Sequence, residues 1–288
     1  DGRFVYMRHF YPDRPYLKHV DYMFQTPTTR VWNDMYRSGD LNTAQAKFWQ
    51  NKPVEELFDL QADPDEINNL ATSPDYQKKT AELRNKLQKW MQETLDLGLL
   101  PEAEMHRLAG SQSPREYALT HKKLFARLAE VAFRSMDPNK GYSIEELVKL
   151  SSDPHSGIRF WAIRGLATQS NIELLDSTLT WSTKRNKALL TASNDESPSV
   201  AIVACDGLLS DENISTQRKA VKRLIELADV NRHGHFAAVA ALNVLDMNAR
   251  LTESEIKQIS ELTRQAKQPP IRLGKYVGKL IDHATSKP

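Results

Sequence analysis

The chain has 288 residues, 40% of them apolar and 26% charged, a balance that suits a globular protein and excludes a disordered one. Its formal net charge of +2 is too small to argue for nucleic acid or a membrane surface as a partner. The single cysteine, Cys205, excludes an intrachain disulfide framework and a CxxC metal knuckle.

The length favours two units. No apolar run approaches the roughly 20 residues that span a bilayer, and the opening DGRFVYMRHF has no apolar signal-peptide core. The chain opens on Asp1 rather than Met, which points to a removed upstream segment or to a longer product. Of the 23 aromatic residues, 14 precede residue 111, whereas the later sequence is rich in Ala, Leu, Ile and Val at helical period. A linker is expected over Leu108–Arg115, between a small α+β domain (1–110) and an all-α domain (111–288).

In chain order, Arg3–Met7 alternates and predicts a strand. A loop-rich stretch bounded by Pro12, Pro15 and Pro27 follows, then a short helix over Thr28–Ser38 that stops at Gly39. Glu55–Leu60 predicts a second strand, closed by the turn Asp63-Pro64-Asp65. Asp75–Asp96 predicts a long amphipathic helix with Leu83, Leu87, Trp90, Met91 and Thr94 on one stripe and Gly98 as its stop.

The second half repeats. Ile158, Trp161, Ala162, Gly165 and Leu166 recur as Val200, Val203, Ala204, Gly207 and Leu208, offset by 42 residues. They recur again, offset by 36, as Phe236, Val239, Ala240, Asn243 and Val244, with Asn243 at the small-residue position. Turn and cap residues precede the first two sets (Ser152-Asp153-Pro154 and Asn194–Pro198). Ahead of the three sets, further helices are expected at Ile144–Leu150, Lys187–Thr191 and Ala220–Ala228. Helix pairs repeating near 40 residues resemble HEAT-type repeats, which stack into an α-solenoid.

Four local patterns carry possible chemistry. Asp137–Glu146 looks like half an EF-hand loop, but its glycine arrives early, and a turn capping the next helix is the simpler reading. His233-Gly234-His235 offers two imidazoles and no third ligand, as a loop entering a repeat helix would. Cys205 lacks a local histidine and reads as a buried small apolar residue. The stretch from Arg8 to Arg30 is different. It gathers Arg8, His9, Arg14, Lys18, His19, Tyr22, Gln25, Thr26, Thr28 and Arg30, a mixture suited to an anionic or carbohydrate ligand, or else to a solvated loop over buried aromatics. A phosphate-cradling glycine loop, HExxH and GxSxG are all missing.

Three stretches together resemble the C-terminal subdomain of the type I sulfatases. They are Asp1–Pro12 (DGRFVYMRHFYP), Tyr22–Trp32 (YMFQTPTTRVW), which is similar to a substrate-side segment of sulfamidase-like members, and Glu56–Ala71 (ELFDLQADPDEINNLA). The last matches the family's recurrent ELYDL-x-x-DP-x-E-x-x-NLA ending. The resemblance implies hydrolysis of sulfate esters or sulfamates of sulfated carbohydrates. It also implies a periplasmic or secreted location, and some bacterial members carry a HEAT-like tail. It implies a formylglycine nucleophile beside calcium, made from a C/S-x-P-S/A-R motif in a large N-terminal catalytic domain. Neither Ser113-Pro114-Arg115 nor Cys205 fits that motif, so no catalytic residue, metal ligand or cofactor is expected in this chain. What the resemblance leaves here is a supporting role: Arg8, His9, Tyr22, Gln25 and Thr26 become candidate contacts to the sulfated sugar. The competing reading is a non-catalytic α-solenoid that binds a protein partner.

Overall fold

The computed structural model describes residues 2–17, 19–137, 141–169, 179–266 and 275–286. The chain divides into two compact units, Asp1–Thr94 and Leu95–Pro288.

The first unit is built on an antiparallel ribbon. Strand β1 (Phe4–Arg8) pairs with β2 (Glu55–Asp59) so that Tyr6 faces Leu57, Met7 faces Glu56 and Arg8 faces Glu55. Because side chains alternate along a strand, one face carries Phe4, Tyr6, Arg8, Glu55 and Leu57, and the other carries Met7, Glu56 and Phe58. The first face packs against the long helix α4 (Gln77–Thr94; α1 to α3 are given below), forming a core of Leu57, Ala71 and Leu83 flanked by Phe4, Tyr6, Leu70 and Tyr76. Helix α4 ends at Thr94 rather than at Asp96. Leu95 there adopts the left-handed conformation (φ 54°), and Asp96 instead caps the following turn by accepting from Gly98 N at 2.8 Å. Trp90, expected on the buried stripe, is 57% exposed, while Leu83 and Met91 are buried.

The sequence ELFDLQADPDEINNLA folds as a self-clamping loop. Asp63 accepts from the backbone of Ile67 and Asn68. Asn69 accepts from Leu57 N at 3.0 Å and Ala71 N at 2.9 Å while donating to Glu55 O at 2.9 Å. These bonds satisfy buried backbone groups that no ladder reaches and turn Leu70 and Ala71 into the core.

Ahead of that loop lie three helices: α1 (Asp21–Phe24), α2 (Pro27–Ser38) and α3 (Thr43–Ala46), the last running into a tight turn at Lys47–Trp49. Pro27 opens α2 and Gly39 ends it at φ 81°, where a left-handed residue is required.

The second unit is helical throughout its described residues. It comprises α5 (Glu102–Ala109), α6 (Pro114–Thr120), α7 (Lys122–Ser135), α8 (Ile144–Leu150), α9 (Ser156–Gln169), α10 (Leu179–Ala192), α11 (Pro198–Leu208), α12 (Ile214–Leu227), α13 (Val230–Asn248), α14 (Glu253–Ser260) and α15 (Tyr276–Thr285). Helix α9 packs against α7 and α11, α11 against α13, and α13 against α15, while α8, α10, α12 and α14 each pack against the next helix or the one after it. Residues 95–110 belong to this unit: α5 packs on α6, α11 and α13, and Trp161 Nε1 donates to Leu99 O at 2.8 Å.

A repeated ion pair marks the period of the array. Arg127 pairs with Asp153, and Arg159 pairs through both nitrogens with Asp195 at 2.8 Å. Asp153 and Asp195 are 42 residues apart, and each also accepts a backbone N–H two residues on, from His155 at 2.9 Å and Ser197 at 2.8 Å. Across these turns, the buried Glu104 accepts from Ser156, Ser197 (2.6 Å) and Arg107, tying α5 to the starts of α9 and α11.

The small residues of the repeat are there for close approach. A Cβ at Gly207 would lie 2.8 Å from Ala167 Cβ, and one at Gly165 would lie 3.1 Å from Leu147 and from Ser135 O. The third set is phased differently from the sequence expectation. Ala240 is exposed, and the buried residues are Ala237, Ala238, Ala241, Leu242 and Leu245. Gly234, with φ 78°, breaks α13 just ahead of this set, and the buried positions follow the second set at an offset of 38 residues rather than 36.

Of the EF-hand-like stretch, 138–140 lie outside the described residues. Ser143 caps α8 in a reciprocal pair with Glu146, as the turn reading requires. Gly207→Ala should lower stability by about 1–3 kcal/mol through overpacking against Ala167. A denaturant titration checks this, and an unchanged midpoint would contradict the close approach.

Candidate functional site

The second face of the ribbon is where the first unit gathers its chemistry. Glu56 is buried, its side chain 1% exposed, yet three elements bring donors to it. His9 Nε2 and the Tyr16 hydroxyl both donate to Oε2, at 2.7 and 2.6 Å, and Lys47 Nζ lies 2.9 Å from Oε1. Burial alone would raise this carboxyl. The bonds from His9, Tyr16 and Lys47 outweigh it and hold its pKa down to about 2. Burial and the bond to Glu56 push the Tyr16 phenol up, so it remains a donor.

Above Glu56 stand three nearly parallel rings. Tyr16 and Phe48 are 10° apart with centroids at 6.1 Å, and Phe48 and Trp32 are 17° apart at 5.0 Å. Trp49 meets Trp32 and Phe48 edge-on and stacks on Tyr36. The Trp32 indole is anchored by donating to Gln45 O at 3.0 Å. Leu17 N bonds to Phe48 O and Lys52 N to Arg14 O, so the loop carrying Tyr16 is zipped to the turn carrying Phe48.

These parts enclose a depression of about 300 Å³ lined by Met7, Tyr16, Trp32, Ala44, Lys47, Phe48, Glu56, Phe58 and Glu66. A second depression of about 430 Å³, lined by Pro27, Thr28, Val31, Trp32, Met35, Leu41 and Gln45, shares Trp32 with it. Lys47 lies over the Phe58 ring at 4.6 Å and donates to Glu66 O at 3.3 Å.

The five candidate contact residues fall in three different settings. Arg8 is on the opposite face of the ribbon from the depression, with its side chain 2% exposed and paired to Glu55 at 3.4 Å. Glu55 is also held by Arg84 through two nitrogens and by the Tyr6 hydroxyl, so its carboxyl sits below its ordinary value despite burial. Strand alternation therefore gives Arg8 a structural ion pair. His9 turns to the other face and helps hold Glu56.

Tyr22, Gln25 and Thr26 occupy the corner between α1 and α2. Tyr22 is 70% exposed, Gln25 donates to Asp21 at 2.9 Å, and Thr26 donates to Met23 O at 2.6 Å and pairs with Thr29. Arg30 braces this corner through Phe24 O and Gln25 O. Lys18 lies outside the described residues.

Lys47, Phe48, Glu56 and Trp32 were not singled out from the sequence. The available signal was the adjacent pair Glu55-Glu56 inside an apolar strand, where alternation must bury one carboxylate on each face.

Among the described residues, no group of three or more His, Cys, Asp or Glu could hold a metal ion. Cys205 is buried in α11, with burial pushing its thiol up to about 12, and neither Pro nor Arg follows it. The described residues do not fit a calcium–formylglycine centre. No helix among them is long and apolar enough to cross a membrane.

A comparison with curated proteins bears on this architecture. The chain is 40% identical over 106 residues to an ulvan-active sulfatase of Formosa agariphila, a match covering 36% of this chain and 18% of that protein. It is 44% identical over 52 residues to a second ulvan-active sulfatase of the same organism, covering 18% and 10%. This chain contains a sulfatase-related region. It spans under one fifth of the length of either relative. No protein-family profile matches the chain, and no solved structure does.

Glu56→Gln keeps the volume and removes the charge that Lys47 and His9 face. A cost of about 2–4 kcal/mol is expected, less than for a fully buried pair because Lys47 is one-third exposed. Since the folded pKa of Glu56 is depressed, its contribution is fully present above about pH 4.5 and is lost as pH falls toward about 2. The stability gap between wild type and Glu56→Gln should therefore narrow below about pH 4. Thermal unfolding from neutral to acid pH checks it, and a gap independent of pH would contradict the ionised hub.

Proposed function

We propose that this chain is the C-terminal portion of a sulfatase that hydrolyses sulfate esters or sulfamates of sulfated carbohydrates. In this reading the formylglycine and calcium centre belongs to a large N-terminal catalytic domain outside the chain. The first unit lends substrate-cleft loops to that centre, and the helical repeats are a HEAT-like tail. The protein works in the periplasm or outside the cell.

The observation that carries the reading is the sulfatase-related region, found in a chain whose first unit clamps the ELFDLQADPDEINNLA segment into its core. Two features of the first unit support it. Tyr22 on α1 and Val31 on α2 stand exposed, at 70% and 57%, apolar groups that a docked catalytic domain would cover. The ring stack over Glu56 suits a sugar face better than a protein side chain of fixed charge.

Reading the coding frame upstream of Asp1 tests this directly: a continuous frame with C/S-x-P-S/A-R and clustered aspartates is expected, and a start codon immediately before Asp1 would contradict it. In the full-length enzyme, Tyr22→Ala with Gln25→Ala should raise KM for the sulfated glycan about tenfold and leave the thermal midpoint unchanged. Arg8→Ala should mainly lower that midpoint, because its side chain is buried and Glu55 would lose a partner. Unchanged kinetics in the double variant would remove the corner from the cleft.

A further inference from the structure

The depression over Glu56 combines features seldom found together without a ligand. Its walls are the aromatic surfaces of Tyr16, Trp32 and Phe48, and its volume of about 300 Å³ matches the lower end of small-molecule sites. Its polar groups are few and already fixed: Lys47 and Tyr16 are aimed by the buried Glu56, and Trp32 is anchored through its indole N–H. A wall of aromatic rings with a small set of preset hydrogen-bonding groups is the arrangement that recognises a pyranose, whose C–H face packs on rings while its hydroxyls reach donors and acceptors.

The charge of the depression restricts the ligand further. Two carboxylates line it, Glu56 and Glu66, against one cation, Lys47. The ammonium is matched by Glu56 at 2.9 Å and also donates to Glu66 O. It has three N–H donors, so one remains for a neutral hydroxyl. A sulfate group would meet aromatic rings and the Glu56 carboxylate, with no surplus positive charge among the lining residues.

We propose that this depression is a subsite for an unsulfated, uncharged pyranose unit, bordered by the Trp32 and Phe48 rings and hydrogen-bonded by Lys47. Under the sulfatase reading, on which its biological meaning rests, it holds a neutral residue of the glycan at a distance from the sulfated one. The adjoining depression beyond Trp32 continues the track toward Thr28 and Gln45. Selectivity then comes from two places, with the sulfate chosen at the catalytic centre and the neighbouring sugar chosen here.

The test uses the 1–288 chain and needs no catalytic activity, so its failure is separable from failure of the sulfatase reading, which rests on sulfate release by the full-length enzyme. Unsulfated tetrasaccharides of xylose, glucose, mannose and galactose, and their persulfated counterparts, are titrated against the chain by calorimetry and tryptophan fluorescence. At least one neutral series should bind saturably, and its persulfated form should bind about tenfold more weakly or not at all. Trp32→Ala should weaken binding about tenfold. Ala44 is exposed at the mouth, so Ala44→Phe should block the site with the fold intact, which keeps the test decisive if Trp32→Ala unfolds. No saturable binding of any neutral series, preference for the persulfated forms, or full binding by Ala44→Phe would each overturn the proposal.

Discussion

The first unit depends on a buried carboxylate that is kept ionised. Removing Glu56 from water costs several kcal/mol unless its oxygens are matched, and here a histidine, a tyrosine and a lysine from three separate segments match them. The loop bearing Tyr16 and the turn bearing Lys47 and Phe48 are thereby drawn to one face of a two-stranded ribbon too small to hold them by apolar burial alone. The position of the ring stack, and of the depression beneath it, follows from that attachment. Glu55, one residue earlier, does the corresponding work on the other face by joining Arg8 and Arg84, so that β1, β2 and α4 are held as one block.

The second unit solves a different problem with a similar device. Its helices bury long apolar faces, and register between successive pairs is set by polar groups in the turns. The aspartates of the Arg127–Asp153 and Arg159–Asp195 pairs recur 42 residues apart, and Gly165 and Gly207 permit the helices between them to approach. Glu104 closes the start of the array by accepting from the first turns of two helices, where the helix dipoles favour a negative charge.

Much of this was legible in the sequence. The two strands, α2 with its glycine stop, the helix pairs and the buried state of Cys205 follow from alternation, capping residues and helical period. The failures have physical causes. Trp90 falls on an apolar stripe by spacing alone, yet α4 is covered on too narrow a face to include it. The third repeat is offset by 38 residues rather than 36, because the break at Gly234 and the change in loop length ahead of it leave the register open to a count of apolar positions. Arg8 and His9 are alike in chemistry and adjacent in sequence, yet strand alternation sends them to opposite faces. Lys47 and Phe48 meet Trp32, Tyr16 and Glu56 only through tertiary pairing of segments from about 9 to 40 residues apart, for which no local pattern exists.

If the first unit binds carbohydrate on behalf of a catalytic centre outside the chain, as proposed, two substrates compared in the full-length enzyme carrying Ala44→Phe will show it. Sulfate release from the polymeric glycan should show a KM raised about tenfold, while turnover of an aryl sulfate too small to extend into the depression should be unchanged. Equal loss on both substrates, or no loss on either, would contradict the claim.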